Sequence, residues 1–168
     1  MVTLWLVRHG ETDWNAQRRF QSRTDVPLNE VGRRQARRLA AELERRTYAG
    51  VWSSDLTRAK ETAEIVYGPP TVDRRLREID LGELEGRRWE DLDPEIQAAL
   101  AAFAGFAAPG GERYDQFEAR VLSFVDDLSP GEHLVVTHGG VIRLLRRVFG
   151  YEDLFPAPGS LTVLDVEG

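Results

Sequence analysis

The sequence predicts an α/β fold, a three-layer α/β/α sandwich with a mostly parallel central sheet. Short apolar runs alternate along the whole chain with longer stretches of helical spacing. Strands that alternate with helices of ten or more residues are typical of parallel sheets covered on both faces. The length of 168 residues suits one domain with a sizeable core. We therefore expect a single domain spanning residues 1–168.

The predicted strands are short apolar segments bounded by turn residues. The first, at residues 4–7, is an uninterrupted apolar run that ends in the turn Arg8-His9-Gly10. Segments of the same kind predict strands at residues 51–54, near 72, 134–136 and 161–164.

Helices are predicted between these strands. From Asn29 onward, apolar residues recur at the spacing of one helical face. Asp55 is placed to cap the next helix, which follows the second strand. The remaining helical stretches are residues 89–106, 114–128 and 141–149, and residues 109–111 form a Pro-Gly-Gly loop.

The composition excludes several classes of protein. The chain has 22 Lys+Arg against 28 Asp+Glu, a formal net charge of −6, and no cysteine. Disulfide scaffolds and thiolate metal sites are thereby ruled out, and an acidic chain is a poor binder of nucleic acid. No apolar run approaches a membrane span, and no basic leader precedes the first strand. We expect a cytoplasmic protein that binds neither nucleic acid nor membrane.

Cations and hydrogen-bond donors follow three of the predicted strands. Arg8-His9-Gly10 follows the first, Ser53-Ser54 and then Arg58 follow the second, and Thr137-His138-Gly139-Gly140 follows the fourth. Ligands of such sheets bind beyond the carboxyl ends of the strands. Arg58 falls in the first turn of a helix, where a cation opposes the helix dipole unless an anion is bound there. The pattern indicates an anion site at this edge of the sheet.

A metal site is the main alternative for this edge. The side chains that offer nitrogen and oxygen ligands are His9, Glu11, Asp13 and His138. Arg8 and Arg58 argue against it, because fixed positive charges would repel a divalent cation. His133 lacks a following glycine, and we expect it to be structural or exposed.

Five ordered motifs resemble those of the histidine phosphatase superfamily, the phosphoglycerate mutase-like proteins. They are residues 8–12, which read Arg-His-Gly-Glu-Thr, and residues 25–32, 53–59, 76–86 and 135–143. The resemblance covers most of the chain and implies the phosphoglycerate mutase-like fold. The segments around Glu78 and His138 are most similar to those of α-ribazole phosphatases and broad-specificity phosphatases.

The resemblance implies a role for each matching residue. His9 is the nucleophile that accepts the phosphoryl group, and Glu78 donates a proton to the leaving oxygen. The other catalytic residues, which hold the phosphoryl oxygens, are Arg8, Arg58 and His138. The residues implied in substrate binding are Asn15, Gln21 and Gly139. No metal ion or other cofactor is implied.

Two positions depart from the family pattern, and one assignment has a plain alternative. Ser22 stands where a glycine is usual, and Arg113 stands where a small hydroxyl residue is common. We expect both to lie where substrate enters. Without the resemblance, Glu78 would be an ordinary surface glutamate paired with Arg75 or Arg77.

Three functions remain open. The first is a phosphatase that acts on a small phosphorylated metabolite through a phosphohistidine. The second is a phosphoglycerate mutase, which must keep water from its phosphoenzyme with long closing loops. We expect only a small flap at residues 86–111, with Trp89, Phe103 and Phe106, so hydrolysis is favoured. The third is a non-catalytic module that binds phosphorylated ligands, which predicts loss of one of the catalytic residues.

Overall fold

A five-stranded sheet forms the centre of the molecule, in a computed structural model that describes residues 1–166. The strand order is β3-β2-β4-β1-β5. The strands are β1 (Val2–Arg8), β2 (Gly50–Ser53), β3 (Thr71–Val72), β4 (Gly131–Thr137) and β5 (Leu161–Val166). The first four are parallel, and β5 runs antiparallel to β1. The predicted mostly parallel sheet is confirmed.

Six α-helices accompany the sheet within residues 1–166. They are α1 (Asp13–Ala16), α2 (Glu30–Glu42), α3 (Thr57–Val66), α4 (Pro94–Ala102), α5 (Tyr114–Asp126) and α6 (Gly139–Val148). Short 3-10 helices occur at Arg74–Leu76, Gly82–Leu84 and Trp89–Asp91. None of the helices within residues 1–166 is long and apolar enough to cross a bilayer.

Two apolar clusters lie on opposite faces of the sheet, which confirms the three-layer arrangement. Leu134 and Val136 of β4 belong to the cluster that α2 and α3 complete. Val135, between them, belongs to the larger cluster formed with α5, α6 and the flap. Successive residues of a strand point to opposite faces, so the alternation shows that helices cover both.

The start of α3 corrects one prediction. Asp55 does not cap this helix; Leu56 is the N-cap residue and has no side-chain capping bond. Asp55 instead pairs with Arg77, at 2.7 Å from Nε. The cap comes from Asp25, whose carboxylate accepts hydrogen bonds from the backbone N–H of Thr57 at 2.8 Å and from its hydroxyl at 2.7 Å. A capping carboxylate from another segment leaves no local signature in the sequence.

The flap at residues 86–111 contains less helix than predicted. Its α-helical part is α4, and the chain reverses at Phe103, whose φ is +65°. The Phe103 and Phe106 side chains are buried in the larger cluster. Arg143 of α6 donates hydrogen bonds to the carbonyls of Leu100 and Ala101, at 3.2 and 2.8 Å. The flap is therefore fastened to the core at the carboxyl end of its helix.

The carboxyl ends of the three inner strands meet at one edge. Arg8 of β1 is in register with Thr137 of β4, and Ser53 of β2 is in register with Val136. The residues that follow these strands are therefore neighbours in space although they are far apart in the chain.

Candidate active site

His9 lies immediately beyond β1 and is buried. Its backbone N–H donates to the carbonyl of Thr137 at 3.0 Å, which continues the pairing of β1 with β4. Its Nδ1 lies 2.7 Å from the carbonyl of Gly10. A carbonyl oxygen only accepts, so Nδ1 carries the proton and Nε2 carries the lone pair. The side chain lines a cavity, and Nε2 is its unprotonated ring nitrogen.

Gly10 and Gly32 allow this turn to pack tightly against α2. A Cβ at Gly10 would overlap the backbone of Gly32, and a Cβ at Gly32 would overlap the carbonyl of Glu11. The turn that holds the His9 ring therefore rests directly on the first turn of α2, a close approach that excludes side chains at both positions.

Two guanidinium groups surround the histidine with positive charge. Arg58, the second residue of α3, is fully buried and donates hydrogen bonds to the carbonyls of Ser22 at 2.8 Å and Thr24 at 2.9 Å. Arg8 donates to the carbonyl of Pro156 at 2.7 Å. Burial lowers the pKa of each arginine to about 10. Both groups therefore keep their charge at neutral pH.

His138 is the N-cap residue of α6, without a side-chain capping bond, and its ring faces His9. The two ring centroids are 5.2 Å apart. The Nε2 of His138 lies 2.8 Å from the hydroxyl of Ser54, while its Nδ1 is buried without a partner in the described chain. Burial, followed by the nearby Arg58 charge, lowers the pKa of both histidines well below the usual value. Both rings are therefore neutral at pH 7.

Glu78 is buried next to these groups. Its carboxylate accepts hydrogen bonds from the backbone N–H of Ile79 and of Gly140, both at 2.9 Å. Burial raises the pKa of Glu78 against the opposing influence of these amides and of the two arginines. A raised pKa suits a carboxyl that must hold a proton near neutrality and then release it.

The surface interpretation of Glu78 is wrong. Arg75 forms an ion pair with Asp73 at 2.7 Å, and Arg77 forms one with Asp55. The backbone beside Glu78 is held by Arg120 of α5, which donates hydrogen bonds to the carbonyls of Arg75, Arg77 and Glu78 at 2.7, 2.8 and 2.9 Å.

A cavity of about 430 Å³ opens at this edge of the sheet. The sequence-predicted residues that line it are Arg8, His9, Asn15, Gln21 and Glu78. Arg58, His138 and Gly139 lie outside its lining, and the neighbouring Gly140 borders it instead. A Cβ at Gly139 would meet the Phe155 ring at 2.5 Å.

Several buried polar atoms near this cavity have no partner within residues 1–166. They are Nε of Arg8, Nε of Arg58, Nε2 of Gln21 and Nδ1 of His138. The side chain of Gln21 is held by its other end, since its Oε1 accepts from the Thr12 hydroxyl at 2.9 Å. Buried donors without partners are rare in folded proteins. Their grouping around two guanidinium charges is what an anion-binding site requires.

The expected positions of Ser22 and Arg113 are wrong, because neither residue lines the cavity. Ser22 is fully buried, and its hydroxyl accepts from the N–H of Leu81 at 3.1 Å. Its carbonyl holds Arg58, so it supports the site from behind. Arg113 is exposed and pairs with Asp115 at 3.0 Å.

The histidine and carboxylate groups proposed as metal ligands do not come together as a set. Glu11 accepts a hydrogen bond from the side-chain amide of Asn29 at 3.0 Å, and Asp13 is exposed. No group of three metal-ligating side chains occurs within residues 1–166. His133 is structural, as predicted: its Nε2 donates to the carbonyl of Ser129 at 2.8 Å, and its Nδ1 accepts from Trp52 at 3.2 Å.

Two groups at this site were missed by sequence reasoning. Phe155 lines the cavity and lies 4.9 Å from the guanidinium of Arg8. No periodic pattern marks its segment. The Ser54 hydroxyl contacts His138, and its only sequence signal was its place directly after a strand.

The chain matches known proteins over almost its whole length. A family model described as histidine phosphatase superfamily (branch 1) matches residues 4–167. Phosphoglycerate mutase-like protein 4 of Arabidopsis thaliana is 41% identical over 155 residues, which cover 83% of this chain and 67% of that protein. A probable phosphoglycerate mutase GpmB of Yersinia pestis is 36% identical over 151 residues, which cover 83% of this chain and 70% of the relative.

Solved structures agree with the sequence relatives. A phosphoglycerate mutase from Thermus thermophilus superimposes with a TM-score of 0.89 at 45% identity, covering 97% of this chain and 92% of the other. Bacillus stearothermophilus YhfR superimposes with a TM-score of 0.87 at 37% identity, covering 100% of this chain and 93% of the other. With its strand order and histidine-arginine site, the chain belongs to the histidine phosphatase superfamily and has the phosphoglycerate mutase-like fold.

Proposed function

We propose that this protein is a phosphomonoester phosphatase that works through a phosphohistidine on His9. The observation that carries the proposal is a neutral imidazole with Nδ1 held by a carbonyl and Nε2 unprotonated, beside the fully buried guanidinium group of Arg58 and the half-buried one of Arg8. Phosphoryl transfer requires positioning and positive charge around the equatorial oxygens. Arg8 and Arg58 supply that charge without protonating the nucleophile.

The first step transfers the phosphoryl group to the enzyme. Nε2 of His9 attacks phosphorus, the bond from phosphorus to the ester oxygen breaks, and Glu78 gives its proton to that oxygen. The products are an alcohol and phosphohistidine. The buried donors of Arg8, Arg58 and His138 contact the equatorial oxygens, where charge is stabilised most effectively because water is excluded.

The second step returns the enzyme to its starting state. Water attacks phosphorus, Glu78 accepts the proton that water loses, and the bond from phosphorus to Nε2 breaks to release inorganic phosphate. The carboxylate that gave up a proton in the first step is thereby recharged for the next turnover. This cycle uses no metal ion. Its substrate, and the only binding partner we propose for the protein, is one small phosphorylated metabolite.

The cavity favours an ester of an uncharged, apolar alcohol. Its apolar lining consists of Phe20, Ile79, Leu81, Trp89, Leu100, Ala101, Phe103 and Phe155. Two lining arginines are already engaged: Arg19 donates to the carbonyl of Gly86 at 2.8 Å, and Arg143 pairs with Asp153 at 2.7 Å. The resemblance of the Glu78 and His138 segments to those of α-ribazole phosphatases makes α-ribazole 5′-phosphate one of the esters to test.

Phosphoglycerate mutase activity is the alternative, and the names of the relatives favour it. A mutase must bind the carboxylate of its substrate. Arg18, exposed at the cavity lining, is the cation available for that purpose. The flap has a single nine-residue α-helix, a small cover for a reaction that must exclude water from the phosphoenzyme.

A substrate panel separates these functions. Release of inorganic phosphate from p-nitrophenyl phosphate, α-ribazole 5′-phosphate and 3-phosphoglycerate is measured in the presence of a chelator. Formation of 2-phosphoglycerate is followed with 2,3-bisphosphoglycerate added. We expect chelator-resistant hydrolysis, fastest for the apolar esters, and an acid-labile phosphoenzyme that is absent in His9→Ala. Isomerisation faster than phosphate release would establish the mutase, and phosphate binding without turnover would establish a non-catalytic module.

A further inference from the structure

We propose that Ser54 is a positioning residue that fixes the tautomer of His138, so that the ring presents an Nδ1–H donor to the bound phosphoryl group. The proposal rests on the phosphoryl site described above. It adds a residue that touches neither the cavity nor the substrate.

Ser54 is held in place by the end of the sheet. Its backbone N–H donates to the carbonyl of Val136 at 3.1 Å, which extends the pairing of β2 with β4 by one residue. The side chain is fully buried. Its hydroxyl is therefore held in a fixed position beside His138, the N-cap residue of α6.

The hydroxyl has two hydrogen-bond partners within residues 1–166. The N–H of Leu56 donates to Oγ at 3.3 Å, and Nε2 of His138 lies 2.8 Å from Oγ. An amide N–H can only donate, so it takes a lone pair of the oxygen and leaves the hydroxyl proton free. The described chain offers that proton one acceptor, Nε2 of His138.

The two tautomers of His138 differ in how well these groups are satisfied. If Nε2 carried the ring proton, both His138 and Leu56 would donate to Oγ, and the buried hydroxyl proton would have no acceptor. If Nδ1 carries it, the hydroxyl donates to Nε2, and the proton left without an acceptor in the described chain is the one on Nδ1. Leaving a buried donor unpaired is unfavourable. An anion held by Arg8 and Arg58 can accept from Nδ1–H, whereas the Ser54 hydroxyl does not line the cavity, so the occupied site selects the Nδ1–H tautomer.

The choice of tautomer decides what His138 does to an anion. Its Nδ1 is buried and has no partner in the described chain, and its ring faces His9 at a centroid distance of 5.2 Å. A protonated Nδ1 donates to a phosphoryl oxygen, whereas an unprotonated Nδ1 would place a lone pair against that oxygen. Because burial and the neighbouring Arg8 and Arg58 keep the ring neutral, its single proton must be on the correct nitrogen.

Nitrogen NMR tests the proposal directly. The chain has three histidines, so long-range proton–nitrogen correlation of the enzyme saturated with inorganic phosphate gives three ring patterns. Single replacements of His9 and His133 by Gln assign them. In the unmodified protein we expect His138 to show a protonated Nδ1 and an unprotonated Nε2. In Ser54→Ala we expect loss of that pattern.

Ser53→Ala is the matched control. Ser53 is equally buried and adjacent, but its hydroxyl donates to the carbonyl of Ser54 at 2.7 Å. It should keep the His138 pattern while losing a buried hydroxyl. Ser54→Thr retains a hydroxyl at the same place and should restore the pattern if it folds.

Kinetics provide the second readout. Ser54→Ala should lower kcat for p-nitrophenyl phosphate by about tenfold to a hundredfold and weaken inhibition by inorganic phosphate, less than the loss expected on removing a donor outright. The proposal is overturned if His138 of the unmodified enzyme is protonated on Nε2, or if Ser54→Ala keeps the Nδ1–H pattern. The tautomer is measured without substrate. A protein with the expected tautomer but no hydrolysis would therefore disprove the proposed function and leave the role of Ser54 standing.

Discussion

Mild acid should destabilise this protein through the two histidines of its site. Burial and the nearby guanidinium charges hold the pKa of His9 and His138 well below the usual value. In the unfolded chain both rings titrate near pH 6.5. As the pH falls below that value, the unfolded chain takes up protons that the folded chain does not, so the free energy of unfolding decreases.

The size of the effect follows from the number of rings. Each histidine that stays neutral in the folded state lowers the free energy of unfolding by about 1.4 kcal/mol between about pH 7.5 and about pH 5.5, or about 2.7 kcal/mol for both. Glu78 acts in the opposite direction, because burial raises its pKa in the folded state. Its protonation on acidification therefore adds stability. A single profile of unfolding free energy against pH contains both contributions. The histidine contribution must therefore be obtained by comparison with a variant.

The double variant His9→Asn with His138→Asn makes that comparison. Urea unfolding, followed by tryptophan fluorescence at several pH values, gives the free energy of unfolding of both proteins. The Glu78 contribution is common to both, since its pKa is set by burial, two backbone amides and two arginines. The unmodified protein should lose about 2.7 kcal/mol more than the variant over this interval. Parallel profiles would refute the conclusion that both rings are kept neutral.

Three further substitutions test the roles of individual groups. Arg58→Ala should lower kcat about a hundredfold to a thousandfold, the loss typical of one preorganised donor. Its melting temperature should also fall, because the carbonyls of Ser22 and Thr24 lose their donor; unchanged turnover would remove Arg58 from the phosphoryl site. Glu78→Gln should slow hydrolysis of alkyl phosphates far more than that of p-nitrophenyl phosphate, whose leaving oxygen needs little protonation, and equal losses in steady-state kcat would contradict the acid role. Gly140→Ala places a Cβ against the Glu78 carboxylate, so it should reproduce the leaving-group dependence of Glu78→Gln; normal rates on alkyl phosphates would show that the carboxylate does not need this close approach to the α6 backbone.

The layers and the placement of the site were predictable because they follow from local patterns. Apolar runs define β1 and β4, and the residues that end them must lie at one edge of a parallel sheet. The exposed position of Arg113 and the buried one of Ser22 were not predictable. Both depend on how loops fold back over the sheet. The spacing of apolar and polar residues along the chain does not specify how loops fold.

The contacts that complete the site come from distant parts of the chain. Asp25 caps α3 from another segment, and Phe155 lies against Arg8 from the stretch before β5. The tautomer of His138 depends on a hydroxyl 84 residues away. Sequence patterns identified most side chains of the candidate site, whereas the groups that contact and orient them were visible only once the chain was folded.

The placement of β1 between β4 and β5 has a consequence for how the molecule is made. Both partners of this strand come late in the chain: Val2 is in register with Gly131 on one side and with Val166 on the other. During synthesis the first strand therefore emerges with both hydrogen-bonding edges unpaired. Leu4 and Leu6, which are buried in the folded protein, are then exposed to solvent. Such long-range pairing slows folding and leaves strand edges open to aggregation. We expect the yield of refolded protein to fall as the protein concentration rises. In fragments that lack β4, we expect no sheet amides to be protected from hydrogen exchange.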